Sequence, residues 1–176
     1  MKEFKILDKP VKVIFLDIDG VLNTGNNLHY SWIMDNKKHS YNYAHRWDIR
    51  CMWLLKKLLD DNKDVYIVIS STWRIFYPDM NVTNKDWGAL MENFEMIDKT
   101  DRIIGITPRL QSRQREDEIK HYLKHTKNNI KNFCVIDDDI ADLTAFKDKE
   151  LVKCDYEFGF TSRKYEEALK ILNEEE

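Results

Sequence analysis

A predicted buried strand that ends in two carboxylates is the feature that most constrains this chain. Residues 11–18 form an apolar run rich in β-branched side chains, typical of a strand buried on both faces of a sheet. Asp17 and Asp19 stand at its end, directly before Gly20. Burial and charge repulsion both disfavour two carboxylates so close together. The sequence therefore predicts that a cation offsets the cost.

Further strands and helices alternate along the chain. Strands are predicted at 64–70, 133–136 and 151–154, and helices at 48–59, 116–124 and 165–172, the first of them capped by Asp48. This alternation favours an α/β fold, a Rossmann-like three-layer sandwich with a central parallel sheet. In such sheets ligands bind beyond the carboxyl ends of the strands.

Two stretches do not follow the alternation. Residues 24–47 are rich in Asn, His, Tyr and Trp and show no clear period, while residues 75–110 contain a predicted short helix near 84–94 and the strand-like segment RIIGIT. We interpret both as short insertions over the strand ends, within one domain that spans 1–176. The aromatic residues of the first insertion either stack on a base or form its small core: Tyr30, Trp32, Tyr41, Tyr43 and Trp47.

Composition limits the classes of partner and compartment. A formal net charge of −3 with many charges of both signs indicates a mixed, solvated surface, not a general attraction to nucleic acid or membranes. The three cysteines form no C-x-x-C pair, and Cys134 and Cys154 lie in apolar runs, so we expect buried thiols and a reducing compartment. No run approaches the roughly 18 apolar residues of a membrane span, and the N-terminus lacks a signal-peptide pattern. We expect a cytoplasmic protein.

Polar side chains follow three of the predicted strands. They are Asp17 and Asp19, Ser70 and Ser71, and Asp137 and Asp138. Because the carboxyl ends of parallel strands meet at one edge of the sheet, we expect these side chains to form a single site. Clustered carboxylates with few nitrogen ligands favour Mg²⁺, which would also attract a phosphate group.

The spacing of the first two carboxylates suggests separate roles in phosphate chemistry. Asp17 would attack phosphorus as a nucleophile and form an aspartyl-phosphate. Asp19 lies on the same side of an extended chain, from which it would protonate the leaving oxygen and later deprotonate the attacking water. A cation for the transferring group is expected from the arginines of the segment PRLQSRQRE: Arg109, Arg113 and Arg115.

These strand ends resemble the haloacid dehalogenase superfamily of phosphatases. The segment FLDIDGVLN resembles its first motif, D-x-D-G-[TV], VYIVISS resembles the second, and VIDDDIAD resembles the fourth. The three motifs occur in the family's order and span about residues 11–142. The segments SSTWR, DDD and DYEFGFT further resemble the phosphatase domains of Swiss army knife RNA repair proteins, which are related in outline to polynucleotide 3′-phosphatase domains.

The resemblance implies roles for the acidic residues. Asp17 matches the family's nucleophile and metal ligand, and Asp19 matches the acid/base, whose backbone carbonyl usually also binds Mg²⁺. Asp138 matches the metal ligand of the fourth motif, with Asp137 or Asp142 assisting.

The resemblance also implies phosphate-binding groups. Ser70 matches the phosphate-binding hydroxyl of the second motif, or Ser71 if the register shifts by one residue. The third motif is a Lys or Arg near a helix start, for which we favour Arg115 over Arg113 and Lys120.

The domains that this chain resembles carry small caps or none, so their active sites are open to substrates. The resemblance thus implies that the partner is a phosphorylated small molecule, a nucleotide or a nucleic-acid end. Arg74, which follows the second motif, has two possible roles. It binds a second phosphate or a nucleic-acid backbone, or it forms a structural salt bridge. A phosphatase of small metabolites, a receiver-like protein phosphorylated on Asp, and a non-catalytic phosphate-binding protein remain alternatives. The chain contains neither an EF-hand loop starting at Asp17 nor a P-loop motif.

Overall fold

The fold is built on a five-stranded parallel sheet, seen in a computed structural model that describes residues 4–35, 47–74, 85–147 and 149–174. Its strands are β1 Val11–Leu16, β2 Val65–Ile69, β3 Ile103–Ile106, β4 Ile130–Asp137 and β5 Leu151–Lys153. They lie in the order β3-β2-β1-β4-β5, so that β1 is central and the strand order reverses beside it. The sheet confirms the predicted α/β fold.

Helices cover both faces of the sheet. They are α1 Gly25–Asp35, α2 Ile49–Asp61, α3 Lys85–Met96, α4 Arg115–His125 and α5 Ser162–Asn173. Apolar side chains of α2, α3 and α5 pack on one face with Ile14 and Leu16, while Ile119 of α4 packs on the other with Phe15 and Val135. The three layers match the predicted Rossmann-like sandwich, and the segment RIIGIT provides the edge strand β3.

The start of α2 follows from a local signal that the sequence contains. The Asp48 side chain accepts a hydrogen bond from the Arg50 amide over 2.9 Å, which satisfies one of the unpaired donors at the helix N-terminus. The predicted N-cap is therefore confirmed.

The stretch 24–47, in which the sequence shows no clear period, begins with a helix. Helix α1 occupies Gly25–Asp35 although its sequence, GNNLHYSWIMD, has no apolar period. Its first turn is held by one long-range and one local contact: the Gly25 amide donates to the Tyr156 carbonyl over 2.8 Å, and the Asn27 amide donates to the nearby Thr24 hydroxyl over 3.1 Å. Long-range backbone pairing thus overrides a weak local pattern.

The three cysteines are free thiols buried among apolar side chains: Cys51, Cys134 and Cys154. For Cys134 and Cys154 this matches the expectation. Among the described residues, no helix is both long enough and apolar enough to span a membrane.

Candidate active site

Four polar residues continue four neighbouring strands at the same level of the sheet. Backbone pairing extends past the strand ends, since Asp17 N donates to Ile136 O, Ser70 N to Leu16 O and Thr107 N to Ile69 O. In this register Thr107, Ser70, Asp17 and Asp137 stand side by side, in that order. The alternation of side chains along each strand directs them to the face that α4 covers.

Three carboxylates meet beside the central strand. Asp17, Asp137 and Asp138 each offer an oxygen within 4.8 Å of the others, and Asp17 and Asp137 are buried. Oxygen ligands from clustered carboxylates suit a hard cation such as Mg²⁺. The donor set therefore fits the predicted metal, and the structure brings Asp137 and Asp138 together with Asp17 as the sequence predicted.

Arg115 lies between two of these carboxylates. Its Nη1 is 3.2 Å from Asp17 Oδ2 and contacts Asp137 Oδ2 as well. The first turn of α4 positions this arginine, because its backbone amide donates to Asp142 Oδ2 over 2.7 Å. Of the three cations considered for the third motif, Arg115 is the one that contacts Asp17 among the described residues.

Burial disfavours the charged forms of these carboxylates even though the positive charge of Arg115 is near. Burial raises the pKa of Asp17, against the lowering effects of Arg115 and of the Ser71 side chain. Burial also raises the pKa of Asp138. A bound divalent cation would favour the charged forms of all three carboxylates.

The titration of Asp137 predicts how the stability of the metal-free protein depends on pH. Burial, and after it the charge of Asp17, raises the pKa of Asp137 to about 8 from an ordinary value of 3.8. Because the folded state binds this proton more tightly than the unfolded chain, its stabilising contribution is complete below about pH 4 and is lost as the pH rises through about 8. In EDTA, the melting temperature of the wild type should fall between about pH 5 and about pH 8 more steeply than that of Asp137→Asn. Parallel profiles for the two proteins would contradict this assignment.

Asp19 is held by two side chains that sequence reasoning missed. Its Oδ2 accepts a hydrogen bond from Trp73 Nε1 and its Oδ1 accepts one from Asn23 Nδ2, both over 2.8 Å. The two donors fix the orientation of the carboxylate next to the turn at Gly20. Trp73 is the second residue after the second motif, and this closeness in sequence was the available signal.

The turn at Gly20 brings the first and fourth motifs together. Gly20 has a φ of +71°, and a Cβ atom there would lie only 2.2 Å from Asp138 Cγ. A residue with a side chain would therefore be strained in its backbone and would also displace a carboxylate of the cluster.

Replacing Gly20 with Ala should lower the free energy of unfolding by at least about 1–2 kcal/mol, the cost of the left-handed backbone alone. Urea denaturation provides the measurement. Gly88→Ala is the matched control, because Gly88 lies in α3 and a Cβ atom added there would have no neighbouring atom within 4 Å. That change should be neutral or stabilise by about 0.5–1 kcal/mol. Equal effects of the two substitutions would refute the role assigned to the turn.

The two serines of the second motif differ in their surroundings. The Ser71 side chain lowers the pKa of Asp17, and its oxygen accepts a hydrogen bond from the Trp73 amide over 3.5 Å. The Ser70 hydroxyl oxygen is buried and has no hydrogen-bond partner among the described residues, and the same holds for the Thr107 hydroxyl on the neighbouring strand. Ser71 thus has a partner within the protein, while Ser70 and Thr107 retain unused hydrogen-bonding capacity. That Ser70 binds phosphate stays a prediction.

Arg74 is buried behind the site and has protein partners on several sides. Its Nη2 pairs with Glu118, which is also buried, its Nε donates to Thr107 O over 2.9 Å, and its Nη1 donates to Ser71 O. These contacts favour the structural salt bridge over the phosphate-binding role that the sequence left open.

Other sequence candidates lie apart from the carboxylate cluster. Lys120 pairs with Glu116 on the exposed side of α4. Asp142 accepts the amide hydrogen of Arg115, so it supports α4 and does not belong to the cluster. Neither position is brought to Asp17.

The aromatic residues of the first insertion differ in how far they are buried. Trp47 is buried and contacts Trp73 and Phe94 edge to face, with ring centroids 5.4 and 6.0 Å apart. Tyr30 is 63% exposed. Tyr41, Tyr43 and the side chain of Trp32 lie outside the described residues. For Trp47, the structure favours the core over base stacking.

Comparison with known proteins identifies one family. A family model described as the HAD domain in Swiss Army Knife RNA repair proteins matches residues 13–165, which include every strand-end residue named above. No curated protein and no solved structure matches the chain.

Proposed function

Because the chain belongs to the family of haloacid dehalogenase domains in Swiss Army Knife RNA repair proteins, we propose that it is a Mg²⁺-dependent phosphatase that acts through a phosphorylated Asp17. The observation that carries the proposal is the arrangement around Asp17, where one arginine and two further carboxylates contact or approach its side chain. A buried carboxylate beside a fixed cation at a strand end is suited to attack a phosphate.

In the first step, an Asp17 carboxylate oxygen forms a bond to phosphorus as the bond between phosphorus and the leaving oxygen breaks. The leaving oxygen takes a proton from Asp19, whose carboxyl group is oriented by Trp73 and Asn23. Arg115 stands beside Asp17 and offers positive charge to the transferring group. Mg²⁺ held by Asp17 and Asp138, with Asp137 beside them, would supply Lewis-acid stabilisation of the phosphoryl oxygens.

In the second step, the Asp19 carboxylate removes a proton from water, and the water oxygen attacks phosphorus. The bond between phosphorus and Asp17 breaks, inorganic phosphate leaves, and the Asp17 carboxylate is restored. The presence of an oriented acid/base next to the nucleophile favours rapid hydrolysis over a persistent phosphorylated state of the receiver type.

We further propose that the substrate is a nucleotide or a nucleic-acid end. Support comes from the family description, which places these domains in RNA repair proteins. A screen of phosphate release tests both levels of the proposal, using p-nitrophenyl phosphate, sugar phosphates, nucleoside monophosphates and oligonucleotides with 3′- or 5′-phosphates, each with Mg²⁺ and with EDTA. We expect Mg²⁺-dependent release, fastest on the nucleotide substrates. No release from any ester would overturn the phosphatase, and a preference for sugar phosphates would overturn the substrate class.

A further inference from the structure

A cavity of about 440 Å³ opens beside the carboxylate cluster on the α4 side of the sheet. Four arginines contribute to its lining: Arg74, Arg109, Arg113 and Arg115. Arg115 connects it to the nucleophile, since the same side chain that lines the cavity lies 3.2 Å from Asp17. A substrate whose phosphate reaches Asp17 would therefore extend into or past this cavity.

Two of the four arginines already have acidic partners. Arg74 pairs with Glu118, and Arg115 is shared between Asp17 and Asp137. Their charges are thus largely balanced within the protein.

The remaining acidic residues of the lining are also engaged. Asp142 accepts the Arg115 amide, and Asp139 Oδ1 accepts the Ala141 amide over 3.1 Å. Neither forms an ion pair with an arginine of the cavity among the described residues. Hydrogen bonding to backbone amides partly offsets the negative charge that these two carboxylates would present to an anion.

Arg109 and Arg113 are therefore the lining cations that have no ion-pair partner in the described part of the chain. Both are exposed, and both lie in the segment between β3 and α4. Arg113 also has a φ of +54°, in the left-handed region that costs a non-glycine residue about 1–2 kcal/mol. Such a backbone conformation persists where the surrounding structure requires it, and it concentrates at ligand-binding segments.

We propose that Arg109 and Arg113 bind a second phosphate of the substrate while the phosphate to be hydrolysed lies at Asp17. The inference rests on the proposed function, because it takes Asp17 as the point of attack. Guanidinium groups suit this task, since their planar donors pair with two phosphate oxygens at once. The second phosphate is either an internal diester of an oligonucleotide end or the second monoester of a nucleoside bisphosphate.

The test compares substrates with one and two phosphates on the variant Arg109→Gln/Arg113→Gln. The control is Arg163→Gln/Lys164→Gln, which removes the same charge from α5, on the opposite face of the sheet. Adenosine 3′-monophosphate, adenosine 3′,5′-bisphosphate and a diadenosine dinucleotide with a 3′-phosphate are the probes. Dissociation constants come from calorimetry in EDTA, in which we expect no turnover, and kcat/KM comes from phosphate release in Mg²⁺.

We expect the arginine variant to bind the two-phosphate probes at least about tenfold more weakly than the wild type, with less than about a twofold change for the monophosphate. The control should match the wild type on all probes. A loss confined to the dinucleotide identifies an internal diester as the second phosphate, and a loss confined to the bisphosphate identifies a monoester. Equal losses on one- and two-phosphate probes, or no loss beyond that of the control, would overturn the inference.

Binding and turnover separate this inference from the proposed function. If no probe is hydrolysed but the two-phosphate probes lose affinity selectively, the phosphatase fails and the second phosphate site stands. If the wild type hydrolyses the probes and the variant shows no selective loss, the phosphatase stands and the second site fails.

Discussion

Replacing Asp17 with Asn is expected to lower kcat for phosphate release by at least about 10⁴-fold, the scale seen when an enzyme loses its nucleophile. An amide at this position cannot form the acyl-phosphate bond, and Arg115 beside it is a cation that cannot attack phosphorus. Steady-state phosphate release with Mg²⁺ and p-nitrophenyl phosphate provides the measurement. Asp117→Asn is the matched control, since Asp117 is exposed on α4, and it should retain wild-type activity.

The same variant should remain folded. Burial raises the pKa of Asp17, so its charge is unfavourable in the folded state, and removing the charge also relieves repulsion with Asp137. We expect the melting temperature of Asp17→Asn in EDTA to equal or exceed that of the wild type, a frequent trade-off between stability and activity. Unfolding of the Asp17→Asn variant would contradict the predicted stability. Substantial phosphatase activity in the folded variant would show that another group attacks phosphorus.

Replacing Arg74 with Met is expected to lower the free energy of unfolding by about 3–5 kcal/mol, because Glu118 would remain as a buried charge without its partner. The carbonyl groups of Ser71 and Thr107 would also lose donors. Urea denaturation measures the effect. Arg163→Met is the control, because the Arg163 side chain is 86% exposed. It should change the free energy of unfolding by less than about 1 kcal/mol.

A double-mutant cycle with Glu118→Gln separates the salt bridge from other effects of Arg74. The double variant should be less destabilised than the sum of the single variants, because neither buried charge is left alone. If Arg74 instead serves the substrate, its replacement would raise KM with little change in stability, and the two substitutions would be additive.

The strands were the most predictable part of the fold. Residues 11–18, 64–70 and 133–136 are short apolar runs rich in β-branched residues, and such runs favour strands buried on both faces, whatever surrounds them. Their parallel pairing followed from the alternation with helices. Helix α1 could not be predicted in this way, because its sequence lacks an amphipathic period and its start depends on contacts with residues 156 and 157.

Within the candidate site, the residues carried by strands were easier to place than those carried by loops. Asp17, Ser70 and Asp137 follow from the common edge of a parallel sheet. The sequence favoured Arg115 but left Arg113 and Lys120 as alternatives, since the position of α4 decides which side chain reaches Asp17.

Contacts across long stretches of chain were beyond the sequence. The pairing of Arg74 with Glu118 joins residues 44 positions apart, and the hydrogen bond from Trp73 to Asp19 joins residues 54 apart. The first depends on how α4 lies beside the segment that follows β2, and the second on how the segments after β1 and β2 meet. The sequence showed which polar residues were available but not which of them would meet.

Detection of a phosphoryl group on Asp17 tests the central claim most directly. Asp19→Asn should slow the second step, since water then lacks its base, while p-nitrophenyl phosphate needs little help from an acid to leave. Acid quenching of that variant, borohydride reduction of the acyl-phosphate and peptide mass spectrometry would locate the modified residue. We predict a burst of p-nitrophenol equal to the enzyme concentration and conversion of residue 17 alone. Two results would contradict the account. In one, the wild type turns over substrate but residue 17 of the trapped variant is not modified. In the other, a different residue is modified.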